Sequence, residues 1–260
     1  MLSSKDIREK LRHGEAVIGS WLRLPCPDSA EIIARMGYDW AVVDMKHGSF
    51  TRSLMTDMFR ALERWGALPF ARLADAGPAQ ITAALDAGAR GLLYPMVESR
   101  EQLEEAIAWS LYPGGREFAG GRRSMEYCRA NVYGLDFGAQ SDEKEGLAHD
   151  IVLVAQIEHV DALANLNAIF AHPRLDACLI GPHELAASMG LAGQFEHPDF
   201  LGALAFIEIK AREHGVGLGC HVVQPDEKLL RAKLTEGYTF LAYGMDVLFL
   251  QQSARHPLLR

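Results

Sequence analysis

No apolar run in this chain approaches the roughly 20 residues needed to cross a bilayer, so a membrane-spanning role is not expected. Residues 1–10 are polar and charged and lack the apolar core of a signal peptide. Basic residues are outnumbered, with 26 Lys and Arg against 34 Asp and Glu and a net charge of −8. No basic stripe is present, which argues against nucleic acid or an anionic membrane as a partner. An acidic chain that binds an acid must therefore concentrate positive charge locally, in a metal or a few arginines. Cysteine is scarce: Cys26, Cys128, Cys178 and Cys220 lie far apart and form no C-x-x-C pair. That pattern excludes a structural zinc site and fits a reduced, cytoplasmic setting. Cys178 sits inside an apolar run and reads as a small buried residue. The chain also lacks a low-complexity tract and a G-x-G-x-x-G turn after its first strand candidate.

What is present is alternation. The 260 residues are 49% hydrophobic, enough for a large core, and roughly 250 residues is the usual size of one (β/α)8 barrel. Apolar, strand-like runs fall at 16–21, 40–44, 68–72, 91–95, 151–157, 177–181, 216–223 and 240–244. Between them apolar residues recur at helical spacing, as in Leu54, Met58, Ala61, Leu62 and Trp65, which end at Gly66. Asp28 is the expected N-cap of the first helix, and residues 198–214 are a clear helix. The strands are nearly continuously apolar, as expected when both sheet faces are covered. Eight strands, each followed by helix, predict an α/β fold: a single TIM-barrel domain over residues 1–260. An open doubly wound sheet shares the alternation and is the structural alternative. The rhythm pauses over 112–149, a stretch rich in Gly, Arg and polar residues. This is an insertion expected after the fourth helix, or on the active-site end if it follows the strand directly.

Catalytic groups of such barrels come from the C-terminal ends of strands. Those positions hold Asp44 and His47, Arg72, Pro95, Gln156 and Glu158, Gly181 to Glu184, His221 and Asp246. Glu158 and Glu184 follow neighbouring strands, so they can share a hard divalent ion; otherwise they are two solvated loop glutamates. Gly181-Pro182-His183-Glu184 is a strand-to-helix turn whose backbone N–H groups can hold a carboxylate, or a plain tight turn. Arg72 can pin a carboxylate or neutralise an enolate oxygen, or else make a structural ion pair, with Asp86 as a candidate partner. His47 lies three residues after Asp44, an arrangement that suits a general base; a surface histidine is the alternative. His221 and Cys220 are weaker candidates as ligands. Of the seven lysines only Lys46 is near a strand end, and as the neighbour of His47 it is expected to point elsewhere, which favours metal-assisted over Schiff-base chemistry.

From about residue 19 to 250 the chain resembles the HpcH/HpaI aldolases, metal-dependent pyruvate aldolases acting on 4-hydroxy-2-oxo acids. The resemblance is carried by Gly37-Tyr38-Asp39-Trp40 leading to Asp44-Met45-Lys46-His47, then Pro69-Phe70-Ala71-Arg72 and Leu85-Asp86-Ala87-Gly88-Ala89. Leu93-Tyr94-Pro95-Met96-Val97, Gln156-Ile157-Glu158 and the run from Ile180 to Gly190 complete it. It implies a phosphoenolpyruvate/pyruvate-binding type of TIM barrel in which Glu158 and Glu184 bind Mg2+, Mn2+ or Co2+. The ion chelates the 2-oxo acid, which Gln156 and the Gly181, Pro182 and His183 backbone help to hold. Arg72 stabilises the enolate, and His47, supported by Asp44 or Asp86, moves the proton. The implied reaction is retro-aldol cleavage to pyruvate and an aldehyde. Related readings are a lyase or synthase using another oxo-acid enolate, and a non-catalytic barrel that binds an oxo acid. The resemblance also implies a homohexamer, a trimer of dimers that exchange the last helix. Four features depart from the family pattern: Glu184 where Asp is usual, Lys46 where an acid precedes the histidine, Gly48-Ser49-Phe50 in place of a proline-containing stretch, and Gly120-Gly121-Arg122-Arg123 in the long loop. These are expected where the aldehyde binds.

Overall fold

Eight parallel strands pair in sequence order and close on themselves. They are β1 (Val17–Leu22), β2 (Trp40–Asp44), β3 (Leu68–Arg72), β4 (Gly91–Tyr94), β5 (Val152–Ile157), β6 (Ala177–Ile180), β7 (Gly217–Val222) and β8 (Phe240–Met245), which returns to β1. The structure is a computed structural model and describes residues 2–114, 117–135, 150–254 and 258. Helices run between and around the strands: α1 (Ser4–Arg12), α2 (Pro27–Arg35), α3 (Arg52–Trp65), α4 (Pro78–Ala87) and α5 (Arg100–Ser110) in the first half. The second half holds α6 (Asp161–Phe170), α7 (Pro182–Ser188), α8 (Pro198–His214), α9 (Glu227–Thr235) and α10 (Asp246–Ser253). The expected single (β/α)8 barrel is therefore the observed fold.

Period-two alternation sorts each strand into an inward and an outward set. Inward residues Val17 and Trp21, Trp40 and Val42, Phe70, Leu93, Val152 and Val154, Leu179, and Phe240 and Ala242 pack as one cluster inside the barrel. Three rings stack at its centre, with Trp40 to Phe240 at 4.5 Å and Trp40 to Phe70 at 5.2 Å between centroids. They fit because facing inward positions are glycine: a Cβ on Gly91 would lie 2.5 Å from the Phe70 ring, and one on Gly19 would collide with Trp40. Outward residues such as Ala41, Val43, Leu92, Leu153 and Ile180 form a second core with the helices.

Three differences from the sequence expectations have physical causes. Helix α2 starts at Pro27, with Cys26 as N-cap; Asp28 lies in its first turn, because proline at N1 sets the helical φ one residue earlier. Helix α1 was not anticipated. It begins with a reciprocal Ser3/Asp6 capping box and buries Ile7 and Leu11 in the barrel's inner cluster. Each buried side chain of that size contributes about 1.5–3 kcal/mol, so a polar segment is fixed as a plug at the N-terminal end of the strands. The insertion leaves the barrel after α5, the helix that follows β4, as expected, but its described part packs at the same end as α1. Glu117 pairs with Arg8 of α1 at 2.5 Å and with Arg174 at 3.3 Å, and Arg129 pairs with Glu63 and donates to the Ala87 carbonyl at 2.9 Å. Gly120 to Arg123 therefore do not line the mouth of this chain's own barrel, contrary to their expected place beside an aldehyde. Residues 115–116 and 136–149 of the insertion lie outside the described residues.

Candidate active site

The inward parity that fills the barrel with apolar side chains changes character at the C-terminal ends. Continuing the same sets upward gives Trp21 from β1, Asp44 from β2, Arg72 from β3, Gln156 and then Glu158 from β5, and His221 from β7. Asp44 and Arg72 are direct register partners. Arg72 forks onto Asp44, with Nε donating to Oδ1 at 2.9 Å and Nη2 to Oδ2 at 2.5 Å, and its guanidinium lies 4.9 Å from the Trp21 ring centre. Asp44 Oδ1 also accepts the backbone N–H groups of Lys46 and His47, each at 3.1 Å, so the carboxylate folds the turn after β2. Burial works against ionisation of Asp44, but the guanidinium outweighs it and holds the carboxyl below its ordinary value. The pair leaves the rest of the Arg72 donors uncommitted to side chains among the described residues, aimed by a fixed fork.

Glu158 and Glu184 both border Gly181. Strands β5 and β6 pair in register up to Ile157 and Ile180, and each acid follows one of these strand ends. A Cβ built on Gly181 would sit 3.1 Å from Glu158 Oε2 and 3.4 Å from Glu184 Oε2, so the two oxygens converge over the same glycine. Glu158 is 1% exposed, whereas Glu184, in the first turn of α7, faces solvent. The two oxygens of Glu158 differ in kind. Oε1 accepts Lys46 Nζ and the Met96 backbone N–H, both at 2.9 Å. Oε2 is buried without a hydrogen-bond partner. A buried carboxylate oxygen with no donor is costly unless something cationic completes it, so the site fits a hard divalent ion.

Lys46 and Met96 are the residues that sequence reasoning did not place here. Lys46 turns into the mouth and pairs with Glu158, where it was expected to point elsewhere. Met96 takes a left-handed backbone (φ 51°), uncommon for a residue with a side chain, and its N–H is thereby presented to Glu158. Trp21 was also missed, although it shares inward parity with Val17. Its indole lies between Arg72 and His221, whose ring stacks on it at 4.8 Å.

The remaining candidates are distributed as follows. Gln156 is buried, and its amide oxygen has no partner; an amide can turn to present either oxygen or NH2 to a ligand. Gly181 and Pro182 open α7, and His183 is exposed with its ring edge-on to Phe195. His47 is exposed and meets Asp44 through its backbone N–H, while its carbonyl accepts Arg23 Nη2 at 2.5 Å. Asp86 lies near the end of α4 and pairs with Arg52 at 3.3 Å. His221 gives its Nε2 proton to the Gly244 carbonyl at 2.9 Å, and burial pushes its pKa down to about 4, which keeps the ring neutral. Burial raises the Cys220 thiol to about 12, which removes it as a thiolate ligand. Asp246 is buried and accepts the N–H groups of Arg23 and Leu24, each at 2.9 Å, which ties β8 to the chain leaving β1.

A second group of possible ligands, Glu98, His159 and Asp161, clusters nearby. There the His159 Nδ1 lone pair accepts the Asp161 backbone N–H at 3.2 Å and is occupied in shaping the start of α6.

Comparison with known proteins identifies the family. The family profile described as HpcH/HpaI aldolase/citrate lyase matches residues 17–253. A hydroxypyruvate/pyruvate aldolase of Pseudomonas aeruginosa is 33% identical over 248 residues, covering 95% of this chain and 89% of that protein. A 5-keto-4-deoxy-D-glucarate aldolase of Shigella dysenteriae is 34% identical, covering 88% of this chain and 86% of that one. Among solved structures, a protein of the same family from Burkholderia cenocepacia J2315 superposes with a TM-score of 0.87 at 28% identity, covering 96% of both chains.

Proposed function

This chain belongs to the HpcH/HpaI aldolase/citrate lyase family and is a carbon–carbon lyase, and we propose that it cleaves a 4-hydroxy-2-oxo acid into pyruvate and an aldehyde with the help of a divalent ion. The observation that carries this reading is the convergence of the Glu158 and Glu184 oxygens over Gly181, one of them buried and unpartnered. Glu158 and Glu184 would hold Mg2+, Mn2+ or Co2+, which when bound supplies a Lewis acid for the oxo group.

The chain's own residues do the rest. The uncommitted donors of Arg72 neutralise charge developing on the oxo oxygen, and Asp44 keeps the fork aimed. Gln156 and the backbone opening α7 hold the carboxylate of the acid. His47, exposed at the rim, takes the C4 hydroxyl proton through water; the C3–C4 bond breaks, its electrons move toward the oxo carbon, and C3 is protonated to give pyruvate. Trp21 and the neutral His221 wall the pocket and keep water from that carbon.

The test is pyruvate release from a panel of 4-hydroxy-2-oxo acids, first in EDTA and then with Mg2+, Mn2+ or Co2+ restored. Activity should vanish and return, and Glu158→Gln should abolish both metal binding and turnover. One observation favours a second reading: Lys46 does reach the mouth. Full activity in EDTA together with borohydride trapping at Lys46 would replace the metal mechanism by a Schiff base. An ammonium engaged by a carboxylate lacks the lone pair that route needs, so the metal reading is preferred.

A homo-oligomer, specifically a hexamer in the cytoplasm, belongs to the same proposal. Leu201, Phe206 and Ile209 expose apolar surface on α8, as does Leu250 on α10, and these support association. Phe249 of α10 rests on Tyr243 of its own chain at 6.3 Å, and Leu248 is half-buried. Sedimentation of the purified protein tests the assembly. No helix among the described residues is long and apolar enough to cross a membrane.

A further inference from the structure

The two oxygens of Glu158 are put to different uses, and the difference assigns a role to Lys46. Oε1 is filled by the Lys46 ammonium and the Met96 N–H, each at 2.9 Å. Oε2 turns the other way, toward Gly181 and Glu184, and is bare. A cation held by Oε2 and Glu184 therefore does not require Lys46 to leave. Lys46 is only 17% exposed along its side chain, and its carboxylate partner 1%, so their charges are poorly screened by water.

We propose that Lys46 is a permanent second cation of the site, staying on one oxygen of Glu158 while a divalent ion uses the other, so that it weakens ion binding and strengthens binding of the anionic oxo acid. The inference rests on the metal-dependent reading above. The charges carry it. Two carboxylates alone would neutralise a divalent ion and leave no net attraction for an acid. With the ammonium present the loaded site carries one positive charge, facing an incoming carboxylate. Arg72 and the half-exposed Arg23 share the one carboxylate of Asp44, whereas Lys46 is the cation that sits directly on Glu158. The lysine thus acts as a binding residue for the substrate's charge, and it orients Glu158 through Oε1 at the same time.

Removing a positive charge a few ångströms from a dication has a predictable sign and a large size at the effective dielectric of such a site. In calorimetric titrations, Lys46→Met should bind Mn2+ at least about tenfold more tightly than the unaltered protein. With Mn2+ saturating, the same variant should bind the unreactive analogue oxamate at least about tenfold more weakly. Lys46→Gln retains a donor for Oε1 without the charge and should behave like Lys46→Met. Lys46→Arg retains the charge and should keep both affinities within about threefold. A merely structural role would move the two affinities in the same direction, so opposite movement is the signature.

Unchanged or weakened Mn2+ binding in both uncharged variants, or oxamate affinity that does not fall, would overturn the inference and leave the metal reading standing. If the unaltered protein binds no Mn2+ at all, the metal reading and this inference fall together. Thermal melts of each variant show that the protein being titrated is folded, and the three substitutions keep the inference open to refutation if one of them does not fold.

Discussion

Gly181 should be intolerant of a single methyl group, for a reason that belongs to the site and not to the backbone. Its φ of −99° and ψ of 87° are open to other residues, so replacement by alanine introduces no left-handed strain. The added Cβ would lie 2.8 Å from Glu158 Cβ, 3.1 Å from Glu158 Oε2 and 3.4 Å from Glu184 Oε2. The first separation cannot exist, so something moves. Glu158 is held at Oε1 by Lys46 and Met96, and its displacement is therefore felt at Oε2, the oxygen offered to the ion. Overpacking a tight site costs about 1–3 kcal/mol, and if the carboxylates absorb it the Mn2+ dissociation constant rises by about 5- to 150-fold. Gly190→Ala is the control. Gly190 has a positive φ of 74° and nothing within 4 Å of its Cβ position, so alanine there should cost stability while leaving the ion untouched. Calorimetric Mn2+ titration beside thermal melting separates the two variants. If Gly181→Ala keeps both its Mn2+ affinity and its melting temperature, the glycine is not packed between the carboxylates and the site geometry argued here is wrong.

Two further outcomes follow from other parts of the mouth and core. Arg72→Lys keeps a charge but loses the two-pronged grip on Asp44, a loss of about 1.5–3 kcal/mol in transition-state stabilisation, so kcat should fall by about 10- to 150-fold with a smaller change in KM; an unchanged kcat would leave Arg72 a purely structural partner of Asp44. Burial, with Arg100 and Arg174 nearby, pushes the pKa of His172 down to about 4, and burial does the same for His221. Their folded values lie below the ordinary one, so the unfolded chain binds more protons between about pH 6.5 and 4, and stability present above that window drains away as pH falls through it. For the fully buried His172 the limit is about 3 kcal/mol, and the fall in melting temperature from pH 7 to pH 5 should shrink in His172→Gln; an equal fall in both proteins would refute the assignment.

The barrel was legible because burial on both faces leaves strands with little polar noise. Each of the eight apolar runs read from the sequence falls within one residue of an observed strand. Helix α1 escaped because its apolar content is only Ile7 and Leu11, too few for a periodic signal; the S-x-x-D start at Ser3 and Asp6 was the readable cue. The insertion's position turned on whether helix α5 or the loop followed β4 directly. The apolar spacing of Leu103, Ala106 and Ile107 decides that in favour of the helix, and so sends Gly120 to Arg123 to the opposite end of the barrel from the mouth.

The site was half legible, and the missing half follows from one rule not carried far enough. Strand parity points Trp40, Val42 and Asp44 inward, and the next residue of that parity is Lys46, not His47. Reading Lys46 as the displaced neighbour of a catalytic histidine therefore reversed the geometry. Asp44 preserves the parity past the strand end by accepting the N–H groups of both residues, which bends the chain while the lysine still faces Glu158. The same rule picks Trp21 from Val17 and Gly19, and Glu158 from Val152, Val154 and Gln156. Asp86 shows where such reasoning stops. A helix residue's partner depends on how neighbouring helices are rotated, which no strand alternation records, and its observed bond to Arg52 was not readable from spacing. Nor could alternation reveal the left-handed turn at Met96, which lies beyond the end of β4, where strand parity no longer applies.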